Sequence, residues 1–287
     1  MKFPKFLRRK LPIGPLNKTA SILQKHKINT VCQEANCPNL FECYSKKTAT
    51  FIALGKKCTR SCAFCNIDFD KNPPLPDIDE PINIAKAAKS LNLLHIVITM
   101  VARDDLEDKG ANHIAKIVSE VKKLNPQSSI EILTSDFSNR FDLIDIVLNQ
   151  RVDVFNHNIE TVKRLSPKIR HIATYENSFK VLKYVKESKK AMFVKSGFMV
   201  GLGERKEEVF ETLKDLKKSD VDIVTIGQYL SPSKNKYPIK DFITLDIYKE
   251  YEDFAKSVGI KNIYAGPYVR SSYNAQIIKN QASSLLV

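Results

Sequence analysis

Residues 48–65 read Thr-Ala-Thr-Phe-Ile-Ala-Leu-Gly-Lys-Lys-Cys-Thr-Arg-Ser-Cys-Ala-Phe-Cys. The first seven of them are mostly apolar and favour β-structure, and Gly55 follows them, which predicts a buried strand. Cys58, Cys62 and Cys65 come next, with three residues between the first two cysteines and two between the last two. We call these cysteines the downstream triplet. The sequence therefore predicts a strand that leads directly into a loop able to hold an inorganic group.

The number of thiols in the downstream triplet favours an iron–sulfur cluster over zinc. A structural zinc site takes four ligands, usually in paired C-x2-C knuckles. After Cys65 no further cysteine or histidine occurs before His95. Three thiolates on a four-iron cluster would leave one iron open to another ligand, and cysteine is the usual ligand of such clusters. Zinc and a disulfide remain as the less favoured alternatives.

A second group of cysteines, the upstream triplet, precedes this segment. Cys32, Cys37 and Cys43 lie in Val-Cys-Gln-Glu-Ala-Asn-Cys-Pro-Asn-Leu-Phe-Glu-Cys, residues 31–43. Free cysteines are often buried as small apolar side chains. Three of them within so short a polar stretch argue instead for a second metal site.

Composition limits the class of protein. With 287 residues and 43% hydrophobic content, the chain suits one large domain or two small ones. Its six cysteines fall into two tight triplets, and the N-terminus lacks the apolar core of a secretory signal. No apolar run reaches the roughly 18 residues that a membrane-spanning helix needs. These features predict a soluble protein of a reducing compartment, the cytoplasm or alternatively an organelle matrix or stroma.

The charge of the chain is strongly positive, at +14. Such a charge can indicate nucleic-acid binding. The lysines are spread along the whole chain, however, which favours a solvated surface that suits an acidic protein partner, and we expect neither nucleic acid nor a membrane as partner. The first thirty residues contain no Asp or Glu, and Pro4, Pro12 and Pro15 interrupt any long helix there. They predict an extended arm that leads into a short helix at about 19–26.

From residue 48 onward the pattern alternates between buried strands and amphipathic helices. The predicted strands are 48–54, 95–100, 129–134, 152–155, 191–200 and 221–226, each followed by a helical stripe. Six such β-α units predict an α/β fold with a parallel sheet closed, or partly closed, into a barrel. A doubly wound sheet is the alternative, but no G-x-G-x-x-G follows the first strand. The expected organisation is an N-terminal extension over 1–46, a core over 47–260 and a C-terminal extension over 261–287.

Polar residues follow the predicted strands, at the end where β/α barrels carry their chemistry. They are Arg103-Asp104-Asp105, Asp136, Asn156 to Thr161, Lys195-Ser196-Gly197, Gly201 to Glu204 and Gly227-Gln228-Tyr229. Asp104 or Glu160 alone would more often be a helix N-terminal carboxylate. Because polar groups recur at the strand ends, we predict an active site there.

These motifs together resemble those of a known family. The downstream triplet is similar to the signature of the radical S-adenosylmethionine (SAM) superfamily, and residues 31–275 resemble lipoyl synthases. The resemblance rests on both triplets and on Phe155-Asn-His-Asn-Ile-Glu-Thr161, Lys195-Ser-Gly197, Met199-Val-Gly-Leu-Gly-Glu204, Gly227-Gln-Tyr-Leu230 and Arg270-Ser-Ser-Tyr273. Biotin synthase, a related family, lacks the upstream triplet and the Arg-Ser-Ser-Tyr motif. Departures from the family pattern occur at Ala102, Lys109, Ser138-Asn139 and Asn274.

The resemblance implies a partial (β/α)6 barrel with N- and C-terminal extensions that carry an auxiliary cluster. Two [4Fe–4S] clusters are implied. The downstream triplet would hold the cluster that cleaves SAM to a 5′-deoxyadenosyl radical, and the upstream triplet would hold the auxiliary one. Ser272 would be the fourth auxiliary ligand, with Ser271 as the alternative. The SAM-contacting residues implied in this way are Asn158, Glu160, Lys195, Glu204, Gln228 and Tyr229.

The implied reaction is the insertion of two sulfur atoms, taken from the auxiliary cluster, at C6 and C8 of an octanoyl group on a carrier-protein lysine. The implied carriers are the acyltransferase (E2) subunits of 2-oxoacid dehydrogenases and the glycine cleavage H protein. A ferredoxin or flavodoxin would supply low-potential electrons. A biotin synthase-like sulfur insertion and a basic, zinc-bearing nucleic-acid-binding module are the competing hypotheses.

Overall fold

The structure is a computed structural model that describes residues 3–9 and 16–284. Its helices are α1 Leu16–Lys25, α2 Val31–Glu34, α3 Leu40–Ser45, α4 Glu80–Leu91, α5 Ala111–Leu124, α6 Phe141–Leu148, α7 Ser166–Ile169, α8 Tyr175–Ser188, α9 Lys206–Lys218, α10 Leu245–Ser257 and α11 Ala275–Ser284. Its strands are β1 Thr50–Ala53, β2 Lys57–Cys58, β3 Asp68–Phe69, β4 His95–Met100, β5 Ser129–Leu133, β6 Val154–Asn156, β7 Phe193–Val200, β8 Ile223–Gln228 and β9 Asn262–Gly266.

Seven strands form one parallel sheet in the order β1-β4-β5-β6-β7-β8-β9. Each strand lies beside the next main strand along the chain, and α4, α5, α6, α8, α9 and α10 fall between them. β1 and β9 are not paired with each other, so the sheet curves without closing. The predicted α/β fold and partial barrel are confirmed.

The repeating pattern follows from which residues are buried. β1 is buried along its whole length, and β8 likewise, as expected for strands covered on both faces. The outer helices are amphipathic: α5, for example, buries Ile114, Ile117 and Val121 against the sheet. Thr174 precedes α8 and caps it, because its side chain accepts a hydrogen bond from the Asn177 backbone N–H.

The sheet has one strand more than the six that the sequence predicted. β9 pairs in parallel with β8, with Ile223 opposite Asn262 and Gly227 opposite Gly266. β9 lies within the predicted C-terminal extension, residues 261–287. It is only partly buried towards its end, which weakens the apolar pattern that predicts a strand. The proposed division at residues 46 and 260 stays a prediction.

The C-terminal helix α11 covers the end of the barrel where the strands begin. Ile278 and Ala282 pack against Val154, Phe193 and Ile223, which lie at or near the first residues of β6, β7 and β8. The opposite end, where the strands finish, is left for the site. Among the described residues no helix is long and apolar enough to cross a membrane.

The predicted N-terminal arm is described in part. Lys5–Leu7 form one turn of 3-10 helix, and Leu7 is buried. The predicted short helix at 19–26 is confirmed as α1. Pro12 and Pro15 lie outside the described residues.

Candidate active site

The loop of the downstream triplet starts at a sharp turn after β1. Leu54 and Gly55 both adopt positive φ angles, of 70° and 85°. The Glu80 carboxylate, at the start of α4, accepts the backbone N–H groups of Leu54 at 2.8 Å and Gly55 at 3.2 Å. The chain then enters β2, where the Cys58 carbonyl accepts the Asp70 N–H at 3.0 Å. The turn thus directs the cysteine loop over the carboxyl ends of the strands.

Arg60, inside that loop, ties it to two strand ends. Its Nε and Nη2 atoms donate to the Asp104 carboxylate at 2.7 and 2.8 Å, after β4. Its Nη1 atom lies 2.8 Å from Asp136 Oδ1, after β5. Burial raises the pKa of both carboxyls, but the Arg60 charge outweighs burial and holds each pKa below its ordinary value. The sequence singled out the two aspartates and missed Arg60, because nothing local shows that it is buried.

The downstream triplet opens onto a cavity of about 340 Å³, which we call the upper cavity. Polar residues from several strand ends line it together with the three cysteines: Arg60, Asn158, Glu160, Arg170, Thr225, Tyr229, Ser271 and Ser272. Most of its surface is apolar, with Ile52, Phe64, Phe198 and Met199 among the contributors. Such a space suits a ligand with one polar and one apolar part.

Asn158 and Glu160 present polar groups to the upper cavity. Asn158 Oδ1 is buried and has no hydrogen-bond partner among the described residues. A Cβ atom at Gly197 would come within 3.2 Å of that oxygen, so the glycine keeps its surroundings open. Burial raises the pKa of Glu160, an effect that Arg170 and Asn158 partly offset. An amide and a carboxylate placed in this way can bind the hydroxyl groups of a ribose.

Arg170 is the second site residue that the sequence analysis missed. Its Nη1 atom donates to the Asn158 carbonyl at 2.6 Å and lies 3.0 Å from Ser178 Oγ. The side chain is buried and lines the upper cavity. It comes from the stretch between α7 and α8, which the sequence did not mark as a strand end.

The other four residues implied as SAM contacts are placed differently. Tyr229 lines the upper cavity, and its hydroxyl donates to the Tyr237 carbonyl at 2.7 Å. Lys195 does not line it: its Nζ lies 3.0 Å from both oxygens of the Glu131 carboxylate, fully buried inside the barrel.

Glu204 and Gln228 also bond to protein groups outside the upper cavity. The Glu204 carboxylate accepts the backbone N–H groups of Gly201 at 2.6 Å and Leu202 at 2.9 Å. The Gln228 amide nitrogen donates to the Asp241 carbonyl at 2.9 Å, and its oxygen accepts the Ile243 N–H at 2.9 Å. In this structure both side chains fix loops, and their contact with SAM stays a prediction.

The upstream triplet lines a second, lower cavity of about 560 Å³. Cys37 and Ser272 line both cavities, as do Val31, Thr50 and Arg270. Ser271 lines only the upper cavity. The two cavities therefore meet at a common wall, and of the two candidate serines only Ser272 reaches the upstream triplet's side.

Contacts across the chain hold the Ser272 segment against the upstream triplet. Tyr273 Oη donates to Glu42 Oε1 at 2.9 Å, and Asn39 Nδ2 donates to the Tyr268 carbonyl at 2.7 Å. The Arg9 guanidinium lies 3.4 Å from the centre of the Tyr268 ring and 3.0 Å from Glu42 Oε2. The N-terminal arm, α3 and the C-terminal segment thus build one wall together.

The cysteines of each triplet line a cavity and do not converge on one point. Within residues 3–9 and 16–284, no three Cys, His, Asp or Glu side chains converge on a point that could hold one metal ion. The cysteines of a four-iron cluster bind different irons, so they surround a volume instead. Burial raises the pKa of Cys32 and Cys65 to about 12 and that of Cys43 to about 11. Metal binding at either triplet must therefore release protons from these thiols.

Known proteins are similar to this chain in sequence over nearly its whole length. The family model of the radical SAM superfamily matches residues 52–216. The lipoyl synthase of Protochlamydia amoebophila is 49% identical over 285 residues, which cover 98% of this chain and 88% of that protein. The lipoyl synthase of Caldicellulosiruptor saccharolyticus is 48% identical over 276 residues, which cover 96% of each chain.

Solved structures share the fold at low sequence identity. Streptococcus suis SuiB bound to S-adenosylmethionine superposes with a TM-score of 0.60 at 14% identity, over 87% of this chain and 54% of that one. Methylornithine synthase superposes with a TM-score of 0.57 at 14% identity, over 96% of this chain and 81% of that one.

Proposed function

Because the chain belongs to the lipoyl synthase family of the radical SAM superfamily, we propose that its two triplets hold two [4Fe–4S] clusters around one substrate site. The protein is an enzyme that transfers sulfur, and the reaction of its family forms the lipoyl cofactor from a protein-bound octanoyl group. The family uses SAM and a [4Fe–4S] cluster; the second cluster is our inference. The observation that carries it is the wall shared by the two cavities, lined by Cys37 and Ser272.

At the upper cavity, Cys58, Cys62 and Cys65 would hold a cluster with one open iron. When bound, that cluster and SAM supply a 5′-deoxyadenosyl radical that abstracts hydrogen from the substrate. Asn158 and Glu160 would bind the ribose and so fix the position of the adenosyl group. The apolar wall would hold the octanoyl chain and exclude water from the radical.

At the lower cavity, Cys32, Cys37, Cys43 and Ser272 would hold the auxiliary cluster, which supplies the two sulfur atoms inserted at C6 and C8. A serine oxygen is a hard ligand for a soft site and is therefore more easily lost than a thiolate. That weakness suits a cluster that is consumed. Because Ser272 lies on the wall between the cavities, it would hold the auxiliary cluster next to the substrate site.

The proposed protein substrates are octanoylated lipoyl-carrier domains, of the 2-oxoacid dehydrogenase and glycine cleavage type. Low-potential electrons would come from a ferredoxin or flavodoxin. The thiol-rich sites call for a reducing compartment, and we keep the cytoplasm as the predicted one. Of the implied SAM contacts, Asn158, Glu160 and Tyr229 line the upper cavity. Lys195, Glu204 and Gln228 bond to protein groups, and their contact with SAM stays a prediction.

Anaerobic iron and sulfide analysis of the purified protein tests the two-cluster proposal. We expect about eight irons and a matching amount of sulfide per chain.

Cys58→Ala should abolish formation of 5′-deoxyadenosine and leave the auxiliary cluster in place. Cys32→Ala should do the reverse: SAM cleavage continues and no sulfur is inserted. Zinc without sulfide, or SAM cleavage at the native rate in Cys58→Ala, would contradict the assignment.

Isotope labelling tests the source of sulfur. A protein rebuilt with heavy sulfide and assayed in unlabelled medium should place both heavy atoms in the same product molecule and stop after one lipoyl group per chain. Ser272→Cys should replace the labile oxygen with a thiolate and slow the insertion, with SAM cleavage largely kept; Ser271→Cys is the matched control. Unlabelled sulfur in the product would contradict consumption of the cluster and leave the radical SAM assignment intact.

A further inference from the structure

Four lysines lie close together on a loop and a short helix beside the upper cavity: Lys168, Lys234, Lys236 and Lys240. We call them the lysine rim. The loop that follows β8 carries three of them and also lines the cavity through Leu230 and Pro232. It is fastened to the cysteine loop, because the Tyr237 N–H donates to the Ala63 carbonyl at 2.9 Å. The lysine rim is therefore a fixed part of the site's surroundings.

Tyr237 lies near two members of the lysine rim, one from α7 and one from the loop after β8. Lys168 Nζ, from α7, lies 5.6 Å from the centre of the Tyr237 ring, and Lys240 Nζ lies 5.9 Å from it. Lys234 and Lys236 belong to the turn just before this tyrosine, in which the Lys236 N–H donates to the Ser233 carbonyl at 3.2 Å. Lys168, Lys234 and Lys240 are exposed, and Lys236 is half-buried.

The charge of the lysine rim is not neutralised locally. Within the part of the chain that the structure describes, none of the four lysines forms an ion pair. Lysines elsewhere, such as Lys186 and Lys190, do pair with aspartates. The nearby acidic residue of the same loop, Asp241, turns one carboxylate oxygen to the Phe242 N–H at 2.7 Å. Four positive charges thus border an otherwise largely apolar cavity.

We propose that the lysine rim docks an acidic face of the carrier domain whose octanoyl-lysine enters the upper cavity. This inference rests on the proposed function. A folded carrier domain cannot enter a cavity of about 340 Å³, so it has to rest at the mouth while its modified lysine reaches inward. Four lysines beside the cavity, none of them ion-paired within the described residues, favour an acidic partner and would speed its association by electrostatic steering.

Charge reversal at the lysine rim tests the proposal in the reconstituted holoenzyme. The variant is Lys168→Glu/Lys234→Glu/Lys240→Glu. The matched control is Lys89→Glu/Lys116→Glu/Lys180→Glu, which makes the same charge change at exposed lysines on the outer helices α4, α5 and α8. Two substrates are compared: an octanoylated carrier domain and a tripeptide that contains octanoyl-lysine. The tripeptide has no folded face to dock and reports on the cavity alone.

In the rim variant, the association rate with the carrier domain at low salt should fall roughly tenfold or more, and KM for the carrier should rise accordingly. The control should fall much less, and turnover of the tripeptide should be unchanged in both. Raising ionic strength should slow association of the wild type and have little effect on the rim variant.

Three outcomes would overturn the inference, and each differs from failure of the proposed function. Equal effects in the rim and control variants would mean that only net charge matters. Carrier binding unaffected by either variant would place the docking face elsewhere. Loss of binding to an unmodified RNA, with carrier binding intact, would assign the lysine rim to nucleic acid. If the proposed function itself is wrong, the wild type will not convert the tripeptide.

Discussion

At the scale of single residues, Arg60 joins the cysteine loop to the sheet through two carboxylates. Arg60→Ala would leave Asp136, which is almost fully buried, without its counter-ion. Removing one partner of a buried pair costs about 3–5 kcal/mol, so we expect the free energy of unfolding to fall by about 3 kcal/mol. Denaturant titration measures that loss, and iron analysis should show that the downstream triplet loses its cluster first.

A matched control for Arg60 is Arg164, which also makes two contacts to one carboxylate. Its Nε and Nη2 atoms lie 2.6 and 2.9 Å from the Glu208 oxygens, but the pair is on the surface. Arg164→Ala should change stability far less, because exposed pairs are screened by solvent. Equal losses of unfolding free energy in the two variants would show that the ion pairs of Arg60 are exposed to solvent in solution.

A second residue-scale prediction concerns the ion pair inside the barrel. Burial opposes ionisation of Glu131, but the charge of Lys195 and the hydrogen bond with His95 outweigh it and hold the pKa of this carboxyl below its ordinary value of 4.5. The ion pair therefore stabilises the fold above pH 4.5, and this contribution is lost as pH falls through the lowered pKa. Lys195→Met removes the largest effect that opposes burial, so burial should raise the pKa of Glu131. That variant should instead lose stability as pH rises.

Stability curves at a series of pH values distinguish these two cases. Lys195→Met should lose about 3–5 kcal/mol near neutral pH, and Lys195→Met/Glu131→Gln should recover much of the loss. SAM binding by the double variant should stay close to that of the wild type. A large loss of SAM affinity with unchanged stability would indicate that Lys195 contacts SAM.

The residue scale also shows what the sequence can reveal. Cys58 and Asn158 could be predicted, because cysteine spacing and a strand-end position are local patterns. Arg60 and Arg170 could not be, because their roles depend on burial and on partners that lie eight or more residues away in the chain. Lys195 is a similar case: the motif Lys195-Ser-Gly197 gave no sign that its charge pairs with Glu131 on another strand, and its contact with SAM stays a prediction.

At the scale of elements, β8 and the segment after β9 are packed so closely that only glycine fits at position 227. A Cβ atom there would overlap the Val269 carbonyl oxygen and come within 3.0 Å of Arg270 Nη1. Gly227→Ala should therefore push the Ser272 segment away from β8. We expect loss of iron from the upstream triplet while SAM cleavage continues, as measured by iron content and 5′-deoxyadenosine formation.

Gly266→Ala is the control for that prediction. Gly266 lies opposite Gly227 in the neighbouring strand, and its added Cβ would meet only Val269 Cγ2, at an ordinary contact distance of 3.5 Å. It should keep both clusters. Equal loss of iron from both variants would mean that any substitution in this part of the sheet disturbs the segment.

The repeated βα pattern could be predicted at this scale, and β9 could not. Strands such as β1 and β4 are continuous apolar runs, since both of their faces are covered. Asn262–Gly266 is a short edge strand with one partner and a half-buried end, so its composition does not stand out. α11 was missed as well, because it covers the barrel end and has a weak apolar stripe.

At the scale of the whole molecule, the N-terminal arm at Arg9 and the segment 268–273 meet beside the upstream triplet. Arg9→Ala would remove both the stacking on Tyr268 and the ion pair with Glu42. We expect faster hydrogen exchange in residues 268–273 and earlier loss of iron from the upstream triplet. Arg8→Ala, at an exposed neighbour, should leave both unchanged. Equal exchange in the wild type and Arg9→Ala would show that the arm does not hold this wall.

The contact between Glu42 and Tyr273 also affects the order in which the protein matures during translation. Glu42 and Tyr273 are 231 residues apart in the chain, and a ribosome takes roughly 10 to 50 seconds to add that many. Throughout that interval, the nascent chain exposes Cys32, Cys37 and Cys43 without the segment that closes their site. The downstream triplet, in contrast, emerges within a single loop. Translation therefore sets an order of maturation, in which the upstream triplet becomes a finished site only after residues 268–273 have left the ribosome.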